Sequence, residues 1–354
     1  MRSQPQKYCR LMTAIAACAF TISGAASEDT GKESPWILTP TASSSPKLGN
    51  SLGFLAGYLH HFDKRSPASI FAVAGSLSDT QSSVYGAFAK TYLAGDQHRI
   101  IGALGGAKIE NEYKDYLGTG LDIRTTDDAT FGMVRYLYRL PAHWFVGGQL
   151  ISTNYEITGK DDFSKAVLAL FDVSGFQGSG WGLVAERDSR DHQNDPHAGS
   201  YFQFSSTRFN SSLSGNADFD TWSAKYSLYT QVADKHLLAT RITARVTADA
   251  PTAAFSSVGL RGYTAGEYLA PHNTTIEIEH RYQFGERWGA TAFLGASCLY
   301  GGKEDCGESE NWYPAAGAGI TYLLKPQEKM IVRTEIAVGK NDNYGFYIQF
   351  GNAF

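Results

Sequence analysis

Long apolar runs are missing. Beyond the N-terminus no stretch of the 354 residues approaches the roughly 18 apolar positions that a membrane-spanning helix requires, which argues against a helical membrane protein. Charge of one sign is missing too: 31 Lys and Arg against 35 Asp and Glu leave a formal net of −4, with the two signs interspersed. With no basic stripe and no cluster of stacking aromatics, a nucleic-acid partner is not expected. Cysteine is scarce at four residues, so neither a disulfide scaffold nor a sulfur-rich zinc site fits. The G-x-S-x-G elbow of a serine hydrolase is absent. "GTGLDI" at 118 and "GAGITY" at 317 lack the third glycine and the helix of a dinucleotide site, and no cofactor is implied.

The N-terminus has the three parts of a secretory signal. Arg2, Lys7 and Arg10 form a positive region, Leu11 to Ile22 an apolar core, and Gly24-Ala25-Ala26 a small-residue cleavage site. Residues 1–26 are therefore read as a signal peptide, although Ile15-Ala16-Ala17-Cys18 also resembles a lipoprotein cleavage box. Export removes Cys9 and, with ordinary cleavage, Cys18. Cys298 and Cys306 remain, across the polar segment "CLYGGKEDC". An oxidising compartment permits a disulfide there, with two free loop thiols as the alternative. No histidine nearby completes a metal set.

What the chain does have is 20 Tyr, 20 Phe, 6 Trp and 37 Gly, a composition of many strands and tight turns. After a short polar linker (27–35), alternating segments of about ten residues recur to the end, the pattern of a transmembrane barrel. In "NTTIEIEHRYQF", Ile276, Ile278, His280 and Tyr282 share one face and Thr275, Glu277, Glu279 and Arg281 the other. In "IVRTEIAVG", Arg333 and Glu335 oppose Val332, Thr334 and Ile336. The final "YGFYIQFGNAF" alternates Phe346, Ile348, Phe350 and Phe354 with Tyr347, Gln349 and Gly351. Ionic groups on one face and apolar groups on the other suit lipid outside and water inside. The dry core of a soluble sandwich would not solvate Glu277, Glu279, Arg281, Arg333 and Glu335.

Turns are of two sorts. "DKRS", "GDQH", "PAHW", "ADKH", "GERW" and "KPQEK" are tight, whereas segments around 108–128, 156–178, 248–268 and 299–311 are longer. This asymmetry is that of bacterial outer-membrane barrels. The expected fold is all-β, a sixteen-stranded antiparallel transmembrane barrel over 36–354. Its first strand is weak (36–41), its last runs 344–354, and an even count sets both ends on the periplasmic side. Trp144, Tyr138 and Trp288, near short turns, read as an aromatic girdle, and His60-His61 as part of the same interfacial belt.

Several phrases resemble the BamA/TamA surface-antigen barrel family of outer-membrane assembly and transport proteins. "GLRGYTAGEY" is similar to its L/V-R-G-F/Y signature at the tip of the sixth extracellular loop, carried here by Leu260, Arg261, Gly262 and Tyr263. "GLVAERDSRDHQNDPHAGSYFQF" resembles a strand ending in D-x-R-D and then a P-x-x-G turn, placing Asp188, Arg190, Asp191, Pro196 and Gly199 in a turn motif. "KDYLGTG" at 114 resembles a further loop phrase, and the resemblance extends over 36–354. It implies that the loop folds back into the barrel and that Arg261 meets acidic groups on the inner wall. Many members place an aspartate of an F-x-D-x-G phrase there. "FLGAS" has Gly295 and Ser297 instead, so Glu279 and Glu335, both facing inward, are the candidate partners. Members that insert barrels or secrete proteins carry periplasmic POTRA domains. The residues between the signal and the first strand are too few for one, which makes a POTRA-less member the expectation.

"RDSRDHQNDPH" gathers Asp188, Asp191, His192, Asp195 and His197, which invites a metal or hydrolase reading. Its place in the turn motif favours a local role, with Pro196 and Gly199 setting backbone angles and Asp191 capping. The chain is thus expected to be non-enzymatic, to sit in bacterial outer-membrane lipid, and to be assembled by the host's barrel-assembly machinery, with an unknown client or periplasmic partner. Assembly or translocation through a weak seam between first and last strands is one function. A passive pore or surface antigen plugged by the Arg261 loop is the alternative.

Overall fold

The computed structural model describes residues 34–45, 49–113, 115–173, 175–352 and 354. The expected signal peptide (1–26), the lipoprotein-like box at Cys18 and most of the linker (27–35) lie outside the described residues. Sixteen strands close into one antiparallel barrel, each paired with its chain neighbours and the last with the first. They are β1 (Trp36–Ser45), β2 (Gly49–His60), β3 (Ser69–Ser78), β4 (Ser83–Leu93), β5 (His98–Tyr113), β6 (Ile123–Arg139), β7 (Trp144–Gly159) and β8 (Gly175–Asp188), then β9 (Gly199–Phe209), β10 (Phe219–Ala233), β11 (His236–Ala248), β12 (His272–Gln283), β13 (Trp288–Tyr300), β14 (Trp312–Lys325), β15 (Met330–Gly339) and β16 (Tyr344–Phe350).

The two-residue period builds two different surfaces. Leu38, Leu52, Leu104, Leu150, Leu183, Leu294, Ile320 and Ile336 all point outward and are largely exposed. The alternate positions face the lumen, where Glu277 and Glu279 are 0% exposed and Glu335 1%. An outward apolar wall with inward carboxylates inverts a soluble fold, and it is the arrangement a bilayer around the barrel favours. Tyr138 and Trp288 are exposed on the outer wall beside short turns. Trp288 packs at a tilt against Tyr322, with ring centroids 4.8 Å apart, and Trp36 against Tyr58 at 4.9 Å. His60 packs edge-on against Phe62, 4.7 Å away, within the same aromatic band.

Element ends differ from the sequence reading in four places. β1 continues to Ser45 because its whole length pairs with β2, including Pro40 opposite Phe54. The segments 108–113 and 123–128 extend β5 and β6, which pair along sixteen positions and leave 115–122 as the described part of the connection. The segment 160–174 contains a helix, α1 (Asp162–Leu170), started by Asp161, whose carboxylate accepts the Ser164 N–H at 2.8 Å. Finally, β16 stops at Phe350, since Gly351 turns the chain with φ +91° and its N–H bonds the Ile331 carbonyl. Phe354 therefore does not continue the outward row. It lies buried inside, against Tyr229, Leu237 and Ala239.

Candidate functional site

The lumen of a sixteen-stranded barrel is wide enough for an aqueous channel, and here the loop 249–271 between β11 and β12 folds into it. A short antiparallel pair, Ser256–Ser257 with Leu269–Ala270, gives the loop a narrow neck. Its apolar residues Val258, Leu260, Tyr263 and Tyr268 bury against Phe293, Tyr313 and Ala337 of the wall. Burying four such side chains contributes on the order of 6–12 kcal/mol to docking before ordering costs are subtracted. The Tyr263 hydroxyl donates to the Pro314 carbonyl at 2.6 Å and accepts the Lys340 N–H at 2.9 Å. Gly262 donates to the Tyr347 hydroxyl at 3.1 Å, and Thr264 to Asn343 Oδ1 at 3.2 Å.

Arg261 stands at the centre. Its Nη1 bonds Glu279 Oε2 at 2.8 Å and Glu335 Oε2 at 2.5 Å, and its Nη2 bonds Glu277 Oε1. The guanidinium lies over the Phe293 ring, 3.6 Å from its centroid. Three further arginines complete the network: Arg241 on Glu277 (3.0 Å), Arg281 on Glu279 (2.7 Å) and Arg333 on Glu335 (3.0 Å). Burial works against the charge of Arg261, but Glu279, Glu277 and Glu335 outweigh it and hold its pKa above the ordinary arginine value. The loop is therefore pinned by a cation that no physiological pH removes.

The structure brings Leu260, Arg261, Gly262 and Tyr263 together with Glu279 and Glu335, and adds Glu277. The reason lies at Gly295, the cross-strand partner of Glu277. A Cβ on Gly295 would sit 2.8 Å from Leu260 Cδ2 and 3.0 Å from the Ile276 carbonyl, so an aspartate there would have to displace Leu260. The acidic group comes instead from the next strand, at the same level. Glu277 was legible as an inward carboxylate two residues before Glu279, but only the Gly295 pairing marks it as a partner. Gly262, at φ +91°, runs so close to β15 that a Cβ would meet Val338 N at 3.1 Å.

The turn motif lies at the opposite end of the barrel. Asp188 takes a bidentate contact from Arg190, 2.8 and 2.9 Å. Asp191 Oδ1 accepts the N–H groups of His192, His197 and Ala198 at 2.9, 2.9 and 3.1 Å. Gly199 has φ +92°, and a Cβ there would meet the Ser189 carbonyl at 2.2 Å. Pro196 sits in the same turn beside His197, which pairs with Asp195 at 3.2 Å. The turn is not confined to its own hairpin. Although β8 and β9 lie halfway round from β1 and β16, Asn194 Nδ2 donates to the Glu328 carbonyl at 2.8 Å, and Asn352 Nδ2 to the Asn194 carbonyl at 3.0 Å. It crosses the barrel mouth. Cys298 and Cys306 form a disulfide that closes the tip between β13 and β14. No three metal-ligating side chains converge among the described residues.

The seam is the remaining irregularity. β1 and β16 share three paired positions, Ala42–Ile348, Ser43–Tyr347 and Ser44–Phe346, against ten between β1 and β2 and seven between β15 and β16. Trp36 to Thr41 have no β16 partner. Side chains fill that gap: Ile37, Leu59 and Met330 form a buried cluster on which Phe350 and Leu55 pack.

Comparison of the coordinates finds barrels of the same architecture. BamA from Haemophilus ducreyi lacking POTRA domains 1–3 superposes with a TM-score of 0.57 at 12% identity, over 90% of this chain and 70% of that one. CdiB from Escherichia coli gives 0.61 at 13% identity, over 91% and 63%. CdiB from Acinetobacter baumannii gives 0.59 at 13%, over 90% and 60%. The shared property is the sixteen-strand fold. The chain spans between 60% and 70% of those proteins' lengths. No protein-family model matches it, and no curated protein does.

Proposed function

We propose that the chain is a non-enzymatic integral protein of the bacterial outer membrane, of the assembly or translocation type, which works by sideways opening of the β1–β16 seam. The observation that carries the reading is the three-pair ladder at that seam. Each ladder hydrogen bond contributes a net ~0.5–1.5 kcal/mol, so the main-chain cost of opening three pairs is less than half that of parting the seven-pair and ten-pair junctions on either side, with the Ile37–Met330 packing to be added. Opening bares the edge of β1 from Trp36 to Ser45, with Pro40 contributing no donor. An incoming strand adds to such an edge by main-chain pairing. The similarity to BamA and CdiB barrels supports this class, and the resemblance of the loop and turn phrases points the same way. Neither names a client, nor a periplasmic partner.

Cysteines at Ala42 and Ile348, paired across the seam, test it. Oxidation of the double variant should block function, read as selective loss of client barrels or of one exported protein from the outer-membrane proteome. A cross-linked protein that supports a normal proteome sinks the reading. A second reading, a passive pore or surface antigen, draws on the loop 249–271 filling the lumen. Deleting 252–270 should then raise single-channel conductance, and unchanged conductance counts against it.

A further inference from the structure

The latch occupies one side of the lumen, and the other side is built differently. Following register around the inner wall, Ile37, Gly57, Ala72, Phe88, Ala103, Met133 and Ile151 stand opposite one another on β1 to β7. That row carries no polar side chain. Phe88 and Phe131, both pointing inward, are 40% and 43% exposed to the lumen. An aqueous channel gains nothing from an exposed apolar interior wall, and polar residues are the rule inside such barrels. Part of the wall borders a cavity of about 530 Å³ whose apolar lining includes Leu55, Ile70, Ala72, Phe88, Met330 and Phe350. Its size is within the ~300–1,000 Å³ of small-molecule sites.

At one end this cavity meets a second of about 350 Å³, with Lys90, Arg190, Gln193 and Phe350 lining both. The second is cationic, and Lys225 faces into it. Nearby carboxylates are already committed: Asp96 to Arg99 (2.7 Å), Glu186 to Arg135 (3.2 Å) and Asp188 to Arg190 (2.8 Å). Lys90 and Lys225 are left over. Among the described residues neither forms an ion pair. Lys90 reaches only Gln193 Oε1, at 3.5 Å, and the Tyr92 ring, while Lys225 lies 5.8 Å from the Tyr201 ring centroid. Two ammoniums lining one lobe that no aspartate or glutamate lines favour an anion between them.

We infer that the lumen binds a single-chain anionic amphiphile, its acyl chain along the Leu55–Ile70–Phe88–Met330 wall and its carboxylate or phosphate head between Lys90 and Lys225. The apolar lobe and the cationic lobe adjoin, which a lone anion or a plain hydrocarbon does not need and an amphiphile does. The inference does not require the seam to open, although Leu55, Met330 and Phe350 of this wall also pack at the seam.

The test uses the whole barrel in nanodiscs of neutral phosphatidylcholine, with a dodecanoic acid that carries a diazirine near its methyl end. Adducts are mapped by residue-resolved mass spectrometry after illumination. Saturable labelling is expected at Phe88, Met133 and Met330, distinct from the non-saturable labelling of outward Leu38, Leu52 and Leu77. The neutral dodecanol analogue, and the Lys90→Gln/Lys225→Gln variant, should each lower lumen labelling about tenfold or more. Competition by unlabelled dodecanoate against lysophosphatidylglycerol tells a free fatty acid from a lysolipid as the source. Labelling confined to outward residues overturns the proposal, as does equal lumen labelling by acid and alcohol. If the double variant does not fold, that contrast on the wild-type protein decides alone.

Discussion

Replacing Arg261 with alanine isolates what the ionic latch contributes beyond the apolar packing of its loop. The change removes contacts to Glu277, Glu279 and Glu335, all essentially unexposed. It does not strand them, because Glu277 keeps Arg241, Glu279 keeps Arg281 and Glu335 keeps Arg333. Breaking a buried ion pair costs ~3–5 kcal/mol when one partner is left bare, and here the lower part of that range applies. Leu260, Tyr263 and Tyr268 still hold the loop apolarly, so the loop stays docked most of the time while its opening equilibrium rises about 10²-fold or more. The N–H groups of Gly262 and Thr264, bonded to Tyr347 and Asn343, report that opening. Hydrogen exchange should show their protection falling by two orders of magnitude or more in Arg261→Ala, with β5 to β7 amides unchanged. Arg261→Lys, a point charge without the fork, should fall between. A change under tenfold at both amides, or equal loss of protection throughout the barrel, refutes the reasoning.

Gly295→Asp, which restores the acid common in the resembled family, should destabilise rather than strengthen the latch, because its Cβ meets Leu260. A drop of ~1–3 kcal/mol by urea titration is expected, and a stabilised protein contradicts it. Gly199→Ala forces a Cβ against the Ser189 carbonyl at positive φ and should lower stability by more than ~1 kcal/mol. Cys298→Ser opens a loop of separation 8, for which the chain-entropy relation gives about 2.5 kcal/mol. A melting temperature equal to that of wild type under oxidising conditions disproves that figure. The mouth-crossing turn should respond to pH. The hydrogen bond that His197 donates to Asp195 raises the His197 pKa against the pull of burial, so its contribution is full below about 6.5 and fades as pH rises through the raised value. For Asp195, burial is outweighed by His197 and the pKa is lowered, so its share fades as pH falls below about 3.9. Exchange protection of the His197 and Ala198 amides, corrected for intrinsic rates, should fall as pH rises above about 6.5 and stay flat in His197→Gln.

The barrel was legible because period two is a direct imprint of the wall: Glu277, Glu279 and Arg281 declare the lumen and Ile276, Ile278 and Tyr282 the outside. The seam was half legible. Pro40 marked a weak first strand, but the pairing that stops at Ala42 depends on where Gly351 turns the chain, a tertiary matter. The partners of Arg261 were readable at Glu279 and Glu335. Glu277 was not, since its role follows from the closeness of Leu260 to Gly295 across strands. The span of Asn194 to Glu328 and Asn352 could not be read at all, because no local pattern encodes a contact between opposite sides of a barrel.

That span has a consequence for the order of assembly. Asn194 waits for partners 134 and 158 residues further along the chain. The hairpin of β8 and β9 can form from local pairing as soon as both strands exist, and Gln193 of its turn can meet Lys90 and Tyr92 of the earlier β4, yet Asn194 is not held on both sides until the β14–β15 turn and the residues after the last strand are in place. Contacts of such sequence separation form late, because loop-closure entropy is lost before they return anything. The mouth therefore closes as the final act of folding, and a chain cut short before Asn352 would build most of its wall and leave that end ajar.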